Sequence, residues 1–299
     1  MQMHRNYIDG EWVEGVDVAV NRNPSDLKDV VGEYARASTA QAEAAIAAAR
    51  AALPGWAAIG LVERSTLLER VGNELLARKE ELGLLLAREE GKTLPEAVGE
   101  AARAGQIFKF YAGEVLRQAG EKIASVRPGV EIEVTREPVG VVAIITPWNF
   151  PIAIPAWKIA PALAYANTVV FKPADLVPGS AWALAKIIAD AGFPKGVFNL
   201  VMGRGAVVGE TLLGHADVAA ISFTGSIETG RKVAARAAQR LAKAQIEMGG
   251  KNPLVVLDDA DLPTAINCAI QGAFFSTGQR CTASSRLIVP DKIHDGFVR

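Results

Sequence analysis

The stretch Val139-Gly-Val-Val-Ala-Ile-Ile145 is a continuous apolar run in which β-branched residues dominate. A run of this kind predicts a strand that is buried on both faces of a sheet. Downstream of it, short apolar runs alternate with amphipathic stretches, which predicts strands that alternate with helices. Such an alternation favours a parallel sheet built from βαβ units. We therefore predict an α/β fold, with a Rossmann-like parallel sheet and flanking helices.

The same patterns give the bounds of the elements that follow this strand. In order, they are helix 154–165, strand 168–172, helix 179–191, strand 197–201, helix 205–213, strand 218–223, helix 226–241, strand 243–247, strand 253–257, helix 261–275 and strand 284–289. A break in the pattern falls near Gly249-Gly250. It suggests that the last three elements belong to a second unit.

The residues before the apolar run differ in pattern, and the first third of the chain is predicted to be helical. Ser38 and Gln41 indicate a capping box before an Ala-rich helix, which we expect to stop at Pro54-Gly55. Residues 61–90 favour one or two amphipathic helices. Pro95 begins another helix, which reaches about residue 117.

Composition narrows the classes of protein to consider. The 299 residues carry a net charge of −1 with no basic face, so we expect no nucleic-acid partner. Two cysteines make no disulfide framework and fit a reducing compartment, and the three histidines lack metal-ligand spacing. The longest apolar stretches fall short of the roughly 20 residues of a membrane-spanning helix. Residues 1–10 contain no apolar signal core, so we expect a soluble cytoplasmic protein with no metal.

Polar or glycine-rich segments follow five consecutive predicted strands. These segments are Thr146-Pro-Trp-Asn149, Lys172-Pro-Ala-Asp175, Gly203-Arg-Gly205, Phe223-Thr-Gly-Ser226 and Glu247. Ligands of open parallel sheets bind at the carboxyl ends of the strands. The five segments together therefore predict a binding site at one edge of the sheet.

Taken singly, each segment has a plainer explanation. The glycines at 203, 205 and 209 miss the dinucleotide fingerprint by one position. Ser226 suits an anion at a helix N-terminus, but it is equally an ordinary N-cap. Lys172 is either a solvated strand-end lysine or a donor to ribose hydroxyls. Asn149 could be a turn residue, and Glu247 a surface carboxylate.

Cys281 lies in Phe-Phe-Ser-Thr-Gly-Gln-Arg-Cys-Thr, residues 274–282. A lone cysteine is most often a small core hydrophobe. Together with Glu247 and Asn149, however, it makes a constellation of nucleophile, base and amide donor. That constellation predicts nucleophilic catalysis if the fold brings the three side chains together.

These segments resemble the aldehyde dehydrogenase superfamily over a stretch from about Tyr7 to the end of the chain. The motifs that carry the resemblance are Pro147-Trp-Asn-Phe-Pro151, Phe171-Lys-Pro-Ala174, Phe223-Thr-Gly-Ser-x-x-x-Gly230, Glu247-x-Gly-Gly-Lys-x-Pro253 and Gly278-Gln-x-Cys281. Their order and spacing make the match specific. Within the superfamily, residues 172–180 and 274–286 are most similar to the α-ketoglutarate semialdehyde (2,5-dioxopentanoate) dehydrogenases.

The resemblance implies the aldehyde dehydrogenase fold and a role for each motif. Cys281 would attack the aldehyde, and the Asn149 amide with the Cys281 N–H would hold the oxyanion. After hydride transfer to the cofactor, Glu247 would activate the water that hydrolyses the thioester. We expect Lys172 to act both in catalysis and in cofactor binding.

The resemblance also implies a cofactor, NAD or NADP. The residues expected to bind it are Thr146, Pro147, Trp148, Lys172, Asp175, Gly205, Phe223, Gly225 and Ser226. Many NAD-using relatives carry Glu where Asp175 stands. Asp is one methylene shorter, so the sequence leaves the choice between NAD and NADP open.

An acidic semialdehyde would need a cation opposite its carboxylate. Aligning the chain on Tyr111-Ala-Gly113 places Arg103 on the helix that lines the family's substrate tunnel. We expect Arg103 to contact the substrate, with Phe150, Trp157 and Phe275 as walls and Arg280 as a second candidate cation. A solvated helix arginine is the competing interpretation of Arg103, and a succinate-semialdehyde type of substrate stays open.

Two other functions stay open at this stage. A CoA-acylating relative would also use the thiol, although Glu247 argues against it, because such enzymes generally lack this base. A cofactor-binding fragment without turnover is possible because family members continue well beyond residue 299. We expect residues 1–118 and 138–248 to form the dinucleotide-binding domain, residues 119–137 an oligomerisation arm and residues 249–299 the start of a catalytic domain.

The predicted arm has consequences for assembly. Within it, residues 131–136 alternate polar and apolar side chains, which predicts a strand with one face in solvent. Unpaired strand edges there would favour association. We expect the full-length protein to be a homodimer or homotetramer that acts on a small aldehyde.

Overall fold

The computed structural model describes residues 3–299, so residues 1 and 2 of the predicted first domain and of the stretch 1–10 lie outside it. The strands are β1 (Met3–His4), β2 (Asn6–Ile8), β3 (Glu11–Val13), β4 (Asp17–Asn23), β5 (Asp26–Arg36), β6 (Glu121–Ala124), β7 (Glu131–Val134), β8 (Val141–Ile145), β9 (Thr168–Lys172), β10 (Phe198–Leu200), β11 (Val218–Gly225), β12 (Lys243–Met248), β13 (Asn252–Val255) and β14 (Ser284–Ile288). The helices are α1 (Thr39–Ala58), α2 (Leu61–Ala77), α3 (Lys79–Glu90), α4 (Leu94–Val115), α5 (Ala153–Ala164), α6 (Pro178–Asp190), α7 (Glu210–Gly214), α8 (Ile227–Gln239), α9 (Leu262–Phe274) and α10 (Asp291–Val298).

The central sheet has seven strands in the order β12-β11-β8-β9-β10-β2-β3. The first five strands in this order are parallel, and β2 and β3 add an antiparallel edge. The prediction of a parallel α/β sheet is therefore confirmed, and β8 is buried along most of its length as its composition predicted. Because the five strands are parallel, their carboxyl ends meet at one edge.

Helices cover both faces of this sheet. Val142 and Ile144 of β8 join the core that α2 to α6 bury, whereas Val141 and Ala143 join the core beneath α1, α7 and α8. Successive side chains of a strand point to opposite faces, so a strand packed on both sides must be apolar at every position. The full burial of each such aliphatic side chain stabilises the folded state by about 1.5–3 kcal/mol relative to leaving it exposed to water.

The prediction that the first third is helical is wrong for its beginning. Residues 3–36 form β1 to β5, and β1, β5 and β4 make a separate three-stranded sheet. Most of β4 and the first half of β5 are exposed or half-buried, and they carry polar residues on both faces. Backbone pairing holds these strands together, and their residues show no clean alternation of apolar side chains that would have predicted strands.

The first helix also passes the proline that we expected to end it. The capping box of Ser38 and Gln41 is present, but α1 includes Pro54 and ends at Ala58. Proline removes one helical hydrogen bond and is usually a helix breaker. Here the last turn buries Trp56 completely against the core, and that burial outweighs the lost bond.

The predicted arm contains a hairpin of β6 and β7. All eight strand residues are exposed, so both faces, and not one, meet solvent. Further along the chain, β13 and β14 form a small parallel sheet with its own core of Val256, Ala269 and Phe297. The domain boundaries proposed from the sequence stay a prediction.

Candidate active site

A cleft of about 740 Å³ opens at the carboxyl edge of the central sheet. Ten residues named from the sequence line it, namely Thr146, Pro147, Trp148, Asn149, Phe223, Gly225, Ser226, Glu247, Arg280 and Cys281. The topology accounts for this convergence, since the segment after β8 and the ends of β11 and β12 lie at adjacent positions of one edge. The thiol, the carboxylate and the amide of the predicted constellation thus share one cleft.

Cys281 is a free, exposed cysteine that lines this cleft. The segment that carries it accepts hydrogen bonds from two amide side chains in other parts of the chain. Asn149 Nδ2 donates to the carbonyl of Gln279 at 2.8 Å, and Asn252 Nδ2 donates to the carbonyls of Cys281 and Ala283. An amide has two N–H donors, so Asn149 keeps one for a ligand beside the thiol.

Asn252 is a residue that sequence reasoning missed. It lies inside the Glu247-x-Gly-Gly-Lys-x-Pro253 motif, in the position written there as a variable residue. Its hydrogen bonds reach residues about thirty positions further along the chain, and no local sequence pattern predicts such a contact. The only available signal was its place within a recognised motif.

Glu247 lines a second cleft of about 490 Å³ together with Cys281 and Lys158. Lys158 was also missed, because a single lysine on an apolar helix gives no pattern. Its ammonium is buried and donates to Ser222 Oγ and Gln245 Oε1, both at 2.8 Å. Burial lowers the pKa of Lys158 to about 8, against the opposing influence of the Glu247 carboxylate. A cation therefore lies close to the candidate base.

The side of the main cleft expected to bind a cofactor is built around the start of α8. Ser226 caps this helix, and its hydroxyl accepts from the N–H of Thr229. The ordinary N-cap interpretation of Ser226 is therefore correct, although it does not conflict with an anion nearby. The backbone N–H groups at a helix N-terminus, together with the helix dipole, favour negative charge.

Three of the predicted cofactor residues do not line this cleft. Lys172 ends β9, where its buried ammonium donates to the Pro173 carbonyl and to Asp175 Oδ1, both at 2.8 Å. Gly205 begins a π-helical turn (Gly205–Gly209) beyond β10. Lys172 lines neither cleft that Cys281 lines, so the structure does not place it beside that thiol.

The residues expected to contact the substrate come together elsewhere. Arg103, Phe150, Trp157 and Phe275 line a cleft of about 500 Å³ between α4, the start of α5 and the end of α9, which we call the α4 cleft. Among residues 3–299, Arg103 has no ion-pair or hydrogen-bond partner. Arg280 does not line it: its guanidinium donates to the carbonyls of Gln271 and Gly272 and stacks over Phe275.

Two features are absent from the described part of the chain. Within residues 3–299, no group of three or more His, Cys, Asp or Glu side chains is placed to hold a metal ion. No helix there is both long and apolar enough to cross a bilayer.

The fold and the site define a class: an α/β protein in which a thiol, an amide and a carboxylate line one cleft at the carboxyl edge of a parallel sheet. The family model of the aldehyde dehydrogenase family matches residues 12–299. The chain belongs to the aldehyde dehydrogenase family, which confirms the resemblance.

Individual relatives agree with this membership. The chain is 48% identical over 298 residues to the α-ketoglutaric semialdehyde dehydrogenase of Bacillus subtilis, covering 98% of this chain and 60% of that protein. It is 41% identical to the betaine aldehyde dehydrogenase of the same organism, again over 98% of this chain and 60% of that one. The crystal structure of Staphylococcus aureus betaine aldehyde dehydrogenase with NAD⁺ superposes with a TM-score of 0.95 at 37% identity, covering 99% of this chain and 59% of that one. The chain spans about 60% of the length of the curated relatives it matches.

Proposed function

We propose that the protein oxidises an aldehyde to the carboxylic acid with NAD or NADP, and that Cys281 is the nucleophile. The observation that carries the proposal is the shared cleft of Cys281, Asn149 and Glu247, beside the N-terminus of α8. Family membership supports the reaction class. Relatives named for NAD⁺ and for NADP⁺ support a nicotinamide cofactor without favouring either form.

The residues of the main cleft fit such a cofactor. The start of α8 offers free N–H groups to phosphates, and Trp148 offers a half-exposed apolar wall to a flat ring. Thr146, Pro147, Phe223, Gly225 and Ser226 would complete the binding surface, with Lys172, Asp175 and Gly205 along neighbouring strand ends. When bound, the nicotinamide supplies the hydride acceptor of the reaction.

The side chains of the site divide the remaining chemistry. The Cys281 thiolate attacks the aldehyde carbon and gives a thiohemiacetal, whose oxyanion accepts from the free N–H of the Asn149 amide. Loss of hydride leaves a thioester on Cys281. Glu247 then removes a proton from water, the resulting hydroxide attacks the thioester carbon, and the acid leaves as the thiol is restored.

Paired cysteine variants test the proposal. Cys281→Ala should abolish aldehyde-dependent formation of reduced cofactor, whereas Cys268→Ala, which removes the other exposed thiol, should retain it. Turnover in Cys281→Ala would show that the nucleophile lies elsewhere. Cofactor binding with no turnover in the parent protein would favour a binding module, and product that appears only with CoA would favour a CoA-acylating enzyme.

We further propose that the substrate is an acidic semialdehyde, such as α-ketoglutarate semialdehyde, whose carboxylate meets Arg103. The unpaired guanidinium of Arg103 at the α4 cleft supports this, as do several semialdehyde dehydrogenases among the relatives. A succinate-semialdehyde type of substrate has the same terminal carboxylate and is the second candidate. A betaine aldehyde dehydrogenase is also similar to the chain, so the comparisons alone do not choose the substrate.

A charge-selective assay tests this assignment. Arg103→Ala should lower kcat/KM for α-ketoglutarate and succinate semialdehydes by about 10- to 100-fold, the loss of a charge-assisted hydrogen bond, and leave a neutral aldehyde of similar length unaffected. Lys109→Ala is the matched control, since it removes a cation from the same helix but outside the cleft. An unchanged preference for acidic aldehydes in Arg103→Ala would contradict the assignment. We propose, finally, that the protein is a cytoplasmic homo-oligomer.

A further inference from the structure

One face of α4 carries two carboxylates that the proposed chemistry does not use. Glu96 and Glu100 lie one helical turn apart, and Arg103 lies almost one turn further along the same face. All three line the α4 cleft. The two glutamates accept hydrogen bonds from the backbones of two distant segments, which are the segments that carry Asn149 and Cys281.

Glu100 and Lys92 hold the first of these segments. Their side chains are almost completely buried and form an ion pair at 2.6 Å. Lys92 Nζ also donates to the backbone carbonyl of Asn149 at 2.8 Å and lies 3.8 Å from the centre of the Phe150 ring. The other oxygen of Glu100 accepts from two N–H groups at the start of α5, those of Ile152 and Ala153. The pair thus fixes the backbone on both sides of Phe150.

Glu96 holds the second segment. Its Oε1 accepts from the N–H of Ser276 at 2.7 Å, across a sequence separation of 180 residues. Ser276 and the following Thr277 both have positive φ angles, 55° in each case, which is a costly conformation for residues other than glycine. Such a conformation persists only where surrounding contacts hold it. Glu96 supplies the contact that comes from another part of the fold.

The two segments also contact each other. Asn149 Nδ2 donates to the carbonyl of Gln279, which lies two residues before Cys281 and three after Ser276. Displacement of either segment would therefore alter the separation of the amide donor and the thiol. Misplacement of about 1 Å can cost roughly 100-fold in rate.

We propose that Glu96 and the Lys92–Glu100 pair are positioning residues, through which α4 holds the oxyanion donor and the nucleophile in register. The proposal rests on the proposed function of Cys281 and Asn149. The three residues touch no reacting atom in it. They act through the backbones of residues 149–153 and 275–281.

A pair of substitutions at Glu96 separates positioning from a general effect on the fold. Glu96→Ala removes the acceptor for Ser276, whereas Glu96→Gln keeps an amide oxygen in the same place. The measurement is the rate of alkylation of Cys281 by iodoacetamide relative to Cys268, which is also exposed and serves as an internal reference. Global loosening would change both thiols, but release of residues 275–281 would change Cys281 alone.

The expected result is a change of about threefold or more in the Cys281 to Cys268 ratio for Glu96→Ala, the loss of one hydrogen bond to a charged acceptor. Glu96→Gln should restore the ratio to within about twofold of the parent. Lys92→Met should change the ratio as well, because Lys92 bonds to the Asn149 backbone and the Asn149 side chain bonds to Gln279. If this variant does not fold, the two Glu96 variants alone test the proposal. A parental ratio in Glu96→Ala, or the same change in Glu96→Gln, would overturn the proposal.

Turnover provides a second readout. With the aldehyde substrate, kcat should fall about tenfold in Glu96→Ala and recover in Glu96→Gln, while the KM for the cofactor stays unchanged. Equal kcat in parent and Glu96→Ala would overturn the positioning role. If the parent has no turnover at all, the proposed function fails, whereas the alkylation ratio still tests whether Glu96 holds the cysteine segment.

Discussion

At the scale of single residues, the site depends on side chains whose partners are backbone groups of other segments. Asn149 shows this most clearly. In the sequence it is equally a turn residue or an oxyanion donor, and in the structure one of its N–H groups is occupied by Gln279 while the side chain faces the cleft of Cys281. The role that we propose for Asn149 depends on the N–H group that this hydrogen bond leaves free.

We expect Asn149→Ala to lower kcat/KM by about 100- to 1,000-fold, which corresponds to roughly 2.7–4 kcal/mol of lost oxyanion stabilisation. Steady-state kinetics with the aldehyde substrate measures the effect, and the dissociation constant of the cofactor serves as the control. A loss smaller than about tenfold would mean that another donor holds the oxyanion.

Glu90 is a buried carboxylate that has a polar contact with the backbone N–H of Lys92, and neither of its oxygens has a hydrogen bond of good geometry to a described residue. Burial raises the pKa of Glu90 to about 7, against the attraction of Lys92 and with a further rise from Glu100. In the unfolded chain the pKa is about 4.3, so the folded protein binds an extra proton between these values. The stability that this proton contributes is complete below about pH 4 and is lost as the pH rises through 7.

The glutamine side chain of Glu90→Gln does not ionise, so this substitution should remove the pH dependence of stability that Glu90 causes. Relative to the parent, we expect its free energy of unfolding to increase by about 1 kcal/mol between pH 5 and pH 8, a value reduced for solvent screening. Urea denaturation at the two pH values measures the difference. A stability difference that is the same at both would contradict the assignment of this proton to Glu90.

At the scale of elements, the crossing of α2 and α4 sets where the cleft face of α4 points. Gly72 and Gly105 meet at this crossing. A Cβ atom added to Gly105 would lie 2.7 Å from Leu76 Cγ and 3.0 Å from the Gly72 carbonyl oxygen. The helices can approach this closely only because both positions lack a side chain.

We expect Gly105→Ala to destabilise the fold by about 1–3 kcal/mol, although alanine is the better helix former. Gly99→Ala is the matched control on the same helix, because an added Cβ there has no neighbour within 4 Å. That variant should be more stable than the parent by about 0.5–1 kcal/mol. Equal urea midpoints for the two variants would show that the crossing tolerates a methyl group.

Elements also differ in how well the sequence predicted them. The bounds of β8, β9 and the helices beside them agree with the periodicity, because apolar side chains at these positions follow directly from burial on both faces. The strands of residues 3–36 were missed, since the side chains of β4 and of the first half of β5 are largely solvated and show no clean alternation of apolar residues. Pro54 misled for a different reason, because the burial of Trp56 that accompanies the last turn of α1 is a tertiary effect.

At the scale of the whole molecule, the hairpin of β6 and β7 is the most exposed regular structure. Its strands expose Ile123, Ile132 and Val134 on one face and charged residues on the other. Exposed strand edges and an apolar face favour pairing with another chain. This supports the proposed homo-oligomer.

We expect Ile132→Lys to reduce concentration-dependent association of the protein, because it places a charge in the apolar face of the hairpin. Ala124→Lys adds the same charge to the opposite face and should leave association unchanged. Sedimentation velocity over a range of concentrations measures both. If the two variants associate like the parent, the hairpin is not the contact surface.

The sequence by itself determined the sheet, the family and the identities of the candidate nucleophile, amide donor and base. These depend on local runs of apolar residues and on short motifs, which a chain carries whatever its environment. Only the tertiary structure decided that Lys92, Glu96 and Glu100 contact the backbones beside Asn149 and Cys281. Those contacts join residues that are 52 to 180 positions apart in the sequence. Every residue except proline has a backbone N–H group and every residue has a carbonyl group, so the identity of the residue at the backbone end of such a bond does not predict the contact.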